Sequence, residues 1–317
     1  MARYLARRLL VAIPTLLALS FLIFLLVSNA PGDPAEEYAR KRSGSQEATA
    51  RDIQAAKVEL GLDRPFFVQY GSWLKGIVTG DLGESFAKRR PVYDELRDRL
   101  PATLELTLAS LLLIVVVGLP LGVMAAMFHR HWTDQAFRVA ALLAASIPGF
   151  FLAYMLIVQL ATEMKLLPVA GRQGLASLVM PAIVVAITPA AVISRLLRAS
   201  LLEVFTEDYV RTAKSKGLDS LQVVLRHGLR NASIPVVTYV GTVLGALLEG
   251  VVITEFIFAW PGLGLLTLEA ISQRDYPMIQ AAVLLAGAIY LIGNLIVDLL
   301  YGFLDPRIRL EPGLEHV

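Results

Sequence analysis

An all-α membrane protein with six transmembrane helices is the fold class this sequence predicts, on three observations. Of its 317 residues, 56% are hydrophobic and 18% charged, against roughly 45–50% and 25% in soluble domains. The apolar residues collect into long runs, and the basic residues between the runs are unequally shared. A net charge of +2 beside so much apolar content excludes a disordered chain. With no cysteine in the sequence, disulfides, thiolate metal sites and a cysteine nucleophile are excluded. The basic residues are scattered, so there is no patch for nucleic acid.

A helix needs about 20 mostly apolar residues to cross the hydrocarbon core, because lipid offers its backbone no hydrogen-bond partner. Six runs qualify: Leu9–Ser28, Ala102–Met127, Ala136–Ala161, Leu178–Leu197, Val236–Phe258 and Ile279–Phe303. The fourth is interrupted by Pro181 and Pro189, which a span tolerates where neighbouring helices satisfy the freed carbonyls. A cleaved signal peptide is the alternative for the first run, since Arg3, Arg7 and Arg8 precede it and Ser28-Asn29-Ala30 loosely imitates a cleavage site. Its apolar core is much longer than the roughly 7–15 residues of a signal, and Pro31 would follow the cut, so a retained span is expected.

The basic residues orient the bundle. With an inside N-terminus, segments 1–8, 128–138, 195–235 and 304–317 face the cytoplasm and carry 3, 2, 7 and 2 Lys/Arg. The short outside loops 162–177 and 259–278 carry 2 and 1. This asymmetry follows the positive-inside rule and puts both termini in the cytoplasm. Segment 29–100 has 12 Lys/Arg against 12 Asp/Glu and is too long to vote. The expected organisation is therefore 1–28 as N-terminus and first span, 29–101 as a helical extracytoplasmic segment, 102–303 as the core, and 304–317 as a cytoplasmic tail.

Two polar stretches are too long for turns. In 29–100, Ile53, Ala56 and Leu60 share a helical face and Gly61 sits at a C-terminal cap position. The aromatics of Pro65–Val78 (Phe66, Phe67, Tyr70 and Trp73) serve either a small cap on the outer bundle face or a docking surface for an external protein. In 195–235, Glu203–Lys216 predicts a helix capped by Gly217. Asp219 or Ser220 then caps a second helix through Leu221, Val224, Leu225 and Leu229. The two helices have apolar faces that need a partner, although seven basic residues could also act only as a topological anchor.

The run Glu207-Asp-Tyr-Val-Arg-Thr-Ala-Lys-Ser-Lys-Gly217, followed by Arg226-His-Gly-Leu-Arg-Asn-Ala232, resembles the cytoplasmic coupling loop of ABC importer permeases. It is similar in particular to the peptide/nickel family of dipeptide, oligopeptide and glutathione permeases. Pro31-Gly-Asp-Pro34, Leu60-Gly-Leu-Asp63 with Pro65, Gly80-Asp-Leu-Gly83 and Arg90-Pro91 fit the same pattern. So do Trp260-Pro-Gly-Leu-Gly264, Arg274-Asp-Tyr-Pro277, Asn294-Leu-Ile-Val-Asp298 and Asp305-Pro-Arg307. Against the general Glu-Ala-Ala-x3-Gly-x9-Ile-x-Leu-Pro pattern, Arg211, Thr212 and Ala213 occupy the first three places, Gly217 matches, His227 and Arg230 replace Ile and Pro, and Leu229 matches. These replacements suit the peptide/nickel branch.

The resemblance implies a type I ABC importer permease fold in a prokaryotic inner membrane. It implies a second homologous permease, two ATPase subunits carrying ATP and Mg, and an extracytoplasmic substrate-binding protein. It also implies ATPase coupling through Glu207, Asp208, Tyr209, Arg211, Ala213, Gly217, His227 and Arg230. Trp260, Pro261, Gly262 and Gly264 would contact the binding protein; the plainer alternative is a turn anchored at the interface by Trp260. No Gly-x-x-x-x-Gly-Lys-Ser/Thr phosphate loop occurs, so the chain carries neither an ATP cradle of that kind nor any recognisable catalytic group.

Charges inside spans are functional candidates by default. Glu249 is a candidate for the substrate pathway, where a carboxylate could meet a peptide's amino terminus; Glu255, nearer the outer end, could simply reach water. Tyr290, Asn294, Asp298 and Tyr301 form a stripe that suits an interhelical seam, and Gly118/Gly122 and Gly241/Gly245 have close-packing spacing. His129 and His131 are only two potential ligands, too few for a metal site. Short peptides are the expected cargo, with nickel or glutathione as alternatives inside the family. From other classes, an ion-coupled transporter would lean on Glu249 and leave 195–235 without a purpose. An intramembrane protease would need a Ser/His pair, His-Glu-x-x-His or paired aspartates, and no His lies within an expected span.

Overall fold

Every expected run falls on helix, but the helices do not keep the expected ends. The computed structural model describes residues 2–44 and 47–304, with side chains described at all of these except 2–7, 9, 214, 220, 227, 230, 242, 244–250, 298 and 300–304. In chain order the helices are α1 (Ala2–Ser28), α2 (Pro34–Ser43), α3 (Ala50–Glu59), α4 (Phe66–Thr79), α5 (Val92–Met127), α6 (Trp132–Ser146) and α7 (Gly149–Leu156). After a π-helical turn, Ile157–Glu163, come α8 (Leu175–Val204), α9 (Asp208–Ser215) and α10 (Ser220–Val223). A second π-helical turn, Val224–Gly228, leads to α11 (Leu229–Ala232), α12 (Ile234–Ile257), α13 (Leu263–Ser272) and α14 (Tyr276–Leu304). Among the described residues strand pairing is limited to one isolated antiparallel bridge, Glu84 to Pro91.

Four helical stretches among the described residues are long and apolar enough to cross a membrane: Leu10–Ser28, Val92–Met127, Leu175–Val204 and Tyr276–Val297. The bent pair Trp132–Ser146 with Gly149–Glu163 makes five. The expected fifth run lies on α12, whose 24 residues extend about 36 Å at 1.5 Å per residue. The third run is not the straight span expected: its two halves meet at 99°. The cause is Pro148. Ile147 before it is extended (φ −80°, ψ 122°), because proline's ring excludes the helical region from the residue ahead of it.

The chain forms two compact units. One comprises 104–260 with 292–304, and α8 is its centre. The fourth run, interrupted in sequence by Pro181 and Pro189, is a continuous 30-residue helix through both, and Met180, Ile193, Leu197 and Leu201 on it are almost fully enclosed. The glycine spacing on α5 does what it predicts: a Cβ on Gly122 would stand 2.8 Å from the Ser194 carbonyl oxygen, and one on Gly118 3.0 Å from that of Ala190. Backbone contact this close requires glycine. A Cβ on Gly241 would likewise lie 2.9 Å from Val297 Cγ1.

The other unit comprises 2–103 and 261–291. Here the polar segment folds as helices, each start explained by its sequence. Asp33 caps α2, accepting from Ala35 N (2.9 Å), with Pro34 in the first turn. Thr49 and Asp52 cap α3 reciprocally. Ala35, Ala39 and Ala56 form a small core with Tyr38, Ile53 and Leu62. The aromatics of α4 pack on α1: Phe66 and Trp73 each stand 5.4 Å from the ring of Phe24, and Tyr70 5.4 Å from that of Phe21. Phe66, Tyr70 and Trp73 are thereby engaged within the chain, while Phe67 stays exposed.

Motifs far apart in sequence meet in this unit. The Asp275 carboxylate accepts from the Ser85 hydroxyl, from Phe86 N (3.1 Å) and from Ala87 N (3.2 Å). Val92 and Leu96 share a core with Leu263, Leu266, Ala270, Met278, Ala281 and Ala282. The segment 85–87, just past the Gly80–Gly83 motif, and the Arg274–Pro277 motif are thus two sides of one buried lock.

Candidate coupling site

The segment 203–232 is a short helical hairpin rather than the two plain helices expected. The expected Glu203–Lys216 helix is divided. α8 ends at Val204, where the Thr206 hydroxyl donates to the Glu203 carbonyl (2.7 Å), a side-chain bond that competes with helix continuation. α9 then starts at Asp208 behind Glu207, whose carbonyl accepts from Val210 N and Arg211 N. Gly217 ends this limb at φ +84°, the left-handed region that costs an L side chain. Of the two expected caps it is Asp219 that serves, accepting from Gln222 N at 2.8 Å.

The inward face of the hairpin is small and apolar. Val210 and Ala213 of α9 pack with Val223 of α10, flanked by Val204, Phe205 and Leu218. Val224 and Ala232 are fully enclosed, and a Cβ on Gly228 would lie 3.2 Å from Leu201 Cδ2 on α8. Asn231 Nδ2 donates to Tyr209 Oη (2.9 Å), tying the two limbs together. Asn231 was not among the residues the sequence singled out; its i+22 separation from Tyr209 gives no local signal.

The outward face combines charge with two leucines. Glu207, Asp208, Tyr209, Arg211 and Gly217 are exposed. Arg211 stands 3.6 Å from Asp208, an exposed pair worth only a few tenths of a kcal/mol and free to exchange for another partner. The expected apolar face of the second limb is corrected: Leu221 (49% exposed) and Leu225 (59%) face outward while Val223 and Val224 face in. Leu221 and Leu225, four residues apart, do share a face as the period expects, but the face that packing covers is the neighbouring one, with Val223 and Val224. Ala213 is a core contact and not a surface one. The side chains of His227, Arg230 and Glu249 lie outside the described residues.

The foot of α8 is braced by a buried ion pair. Arg198 Nε and Nη2 donate to the two Asp134 oxygens (2.7 and 2.6 Å), and His129 Nδ1 sits 3.1 Å from Arg198 Nη2. His129 therefore belongs to this brace. Among the described residues no group of three or more metal-type side chains occurs.

The outer motif is enclosed. Trp260 is fully buried, with its N–H donating to the Glu255 carbonyl (2.8 Å), and Gly262 and Gly264 are buried as well. Of the four expected contacts for a binding protein only Pro261 is half-exposed. Glu255 does not reach water: it is fully buried and engaged by neighbours.

Residues 118–310 match the family described as "Binding-protein-dependent transport system inner membrane component", and residues 1–107 match its N-terminal region. The Glutathione transport system permease protein GsiC of Escherichia coli (strain K12) is 41% identical over 309 residues, covering 98% of this chain and 99% of that protein. The chain is an ABC importer permease of the peptide/nickel family. GsiC of Shigella boydii serotype 4 (strain Sb227) shows the same identity and coverage. The permease also matches a chain in the solved "Inward facing conformations of the MetNI methionine ABC transporter", with TM-score 0.55 and 20% identity over 67% of this chain and 96% of that one. That likeness is one of fold. The 203–232 hairpin therefore belongs to an inner-membrane permease subunit of a binding-protein-dependent importer.

Proposed function

We propose that this permease imports short peptides, glutathione among them, by borrowing the work of ATP hydrolysis through the 203–232 hairpin. The observation that carries the reading is a hairpin closed by its own core and by the Tyr209–Asn231 bond, with a charged and leucine-bearing face left outward. A rigid element transmits displacement, whereas a flexible loop dissipates it. Asp208, Tyr209, Arg211, Leu221 and Leu225 present the surface on which a separate ATPase seats, and His227 and Arg230 belong to the same stretch by resemblance. ATP and Mg reside on that partner, since the sequence has no phosphate loop.

Six spans with both termini in the cytoplasm fit the basic-residue asymmetry. A second homologous permease, two ATPases and an extracytoplasmic binding protein complete the assembly. ATP binding shifts the paired permeases toward outward opening by differential contact with the two states. Glutathione enters as a short peptide because the 41% identical relatives are named for it. Glu249, a carboxylate within the fifth run, is assigned to the pathway on the cost of burying a charge there.

The test is uptake into proteoliposomes holding the full set of subunits, with glutathione and a dipeptide as separate cargoes. ATP-dependent uptake that survives collapse of ion gradients supports the reading. Uptake by this chain without ATPases, or uptake driven by an ion gradient, overturns it.

A further inference from the structure

The unit of residues 2–103 and 261–291 encloses a cavity. It measures about 720 Å³ and lies among α1, α3, α4 and the first turns of α14. One wall is aromatic: Phe24, Phe66 and Trp73 line it, held in mutual ring contact at 5.4 Å. Tyr276 and Gln280, one helical turn apart on α14, line it too, and they are only 6% and 8% exposed. Neither side chain has a hydrogen-bond partner among the described residues. No polar side-chain atom among the described residues is sealed away without a partner, so the phenol and the amide open into the cavity.

Buried polar groups ordinarily find partners. Here a carboxamide, which offers a donor and an acceptor together, and a hydroxyl wait beside an aromatic wall. The charged lining has both signs. Arg64 has no ion-pair partner among the described residues, and Asp81 uses one oxygen on Gly83 N (3.1 Å) and leaves the other available. Asp33 and Lys57 are already paired at 2.9 Å. The set matches a molecule with an amide in the middle, opposite charges at its ends and an apolar side chain.

We propose that this cavity is a binding site for a short zwitterionic peptide. Gln280 and Tyr276 hydrogen-bond its amide, Arg64 and Asp81 meet its termini, and Trp73 stacks on its side chain. The choice of a peptide over other zwitterions rests on the transport reading above; the site's existence does not.

The experiment uses the full chain in lipid nanodiscs without ATPases or binding protein, so it can fail while ATP-driven uptake succeeds, and the reverse. Glycyl-leucine is the probe, followed by calorimetry and by tryptophan emission. Saturable binding is expected, with an emission change absent in Trp73→Phe. Gln280→Leu and Tyr276→Phe should each weaken binding about tenfold, the loss of one such hydrogen bond, without lowering the thermal midpoint, because neither polar group holds another part of the chain. Failure to saturate overturns the proposal. So does equal affinity in both variants, or an emission change that persists in Trp73→Phe. Binding of glycerophosphoethanolamine with the same variant dependence, and none of glycyl-leucine, replaces the peptide by a lipid headgroup and also overturns it.

Discussion

Gly217 is the position at which backbone conformation and coupling can be separated. Its φ of +84° lies in the left-handed region, and a Cβ built there meets nothing within 4 Å. A side chain at 217 therefore costs conformational energy without a clash inside the chain. For alanine that cost is about 1 kcal/mol, and about 2 kcal/mol for β-branched valine. The hairpin core opposing it is small: burying Val210 and Val223 contributes about 1.5–3 kcal/mol each at most. Gly217→Ala should weaken the joint about fivefold, and Gly217→Val about thirtyfold, enough to open it for part of the time. Asparagine tolerates the left-handed region, so Gly217→Asn should stay near wild type. The assay is stimulation of ATP hydrolysis by substrate-loaded binding protein in the reconstituted complex, beside hydrogen exchange over 208–232 in the permease by itself. The expected order is Gly and Asn, then Ala, then Val, with exchange rising as stimulation falls and membrane insertion unchanged. Wild-type stimulation in Gly217→Val would refute the joint. Damage by Asn equal to that by Val would show that bulk against the partner, and not φ, governs the position.

Two further perturbations follow from the buried locks. Asp134 accepts from Arg198 at 2.7 and 2.6 Å in a buried pair. Asp134→Asn should cost about 3 kcal/mol at neutral pH, the usual result of stranding one buried charge, and should lower the thermal midpoint. An unchanged midpoint would count against the brace. Asp275→Ala removes the acceptor shared by Ser85, Phe86 N and Ala87 N, leaving buried donors that cost about 1–3 kcal/mol each. Limited proteolysis should then cut near residues 80–91 first, and protection equal to wild type would disprove the lock.

Of the candidate site, much was legible in the residues. Gly217 at a helix end and Asp219 as a cap both have short-range causes, and local causes leave local patterns. The outward turn of Leu221 and Leu225 was not legible, because two adjacent faces of this limb are apolar and only the packing of Val223 on Val210 and Ala213 decides which one is covered. The Tyr209–Asn231 bond and the Asp134–Arg198 brace join residues 22 and 64 apart, and polar residues that pair at such distances look like surface residues in the chain.

The sequence by itself determined the solvent: runs too apolar for water and basic residues unevenly placed require a membrane, whatever the packing. It also determined the helix caps, since Asp33, Thr49, Gly61 and Gly217 act on their own neighbours. Only the tertiary structure decided that Pro148 bends its run by 99° while Pro181 and Pro189 leave α8 continuous. The three prolines remove the same hydrogen-bond donor, and what differs is how far surrounding helices hold the backbone in place. Burial made the same kind of decision at Trp260 and Glu255: each has the composition of an interface or an aqueous contact, and each is enclosed because the chain around it closes.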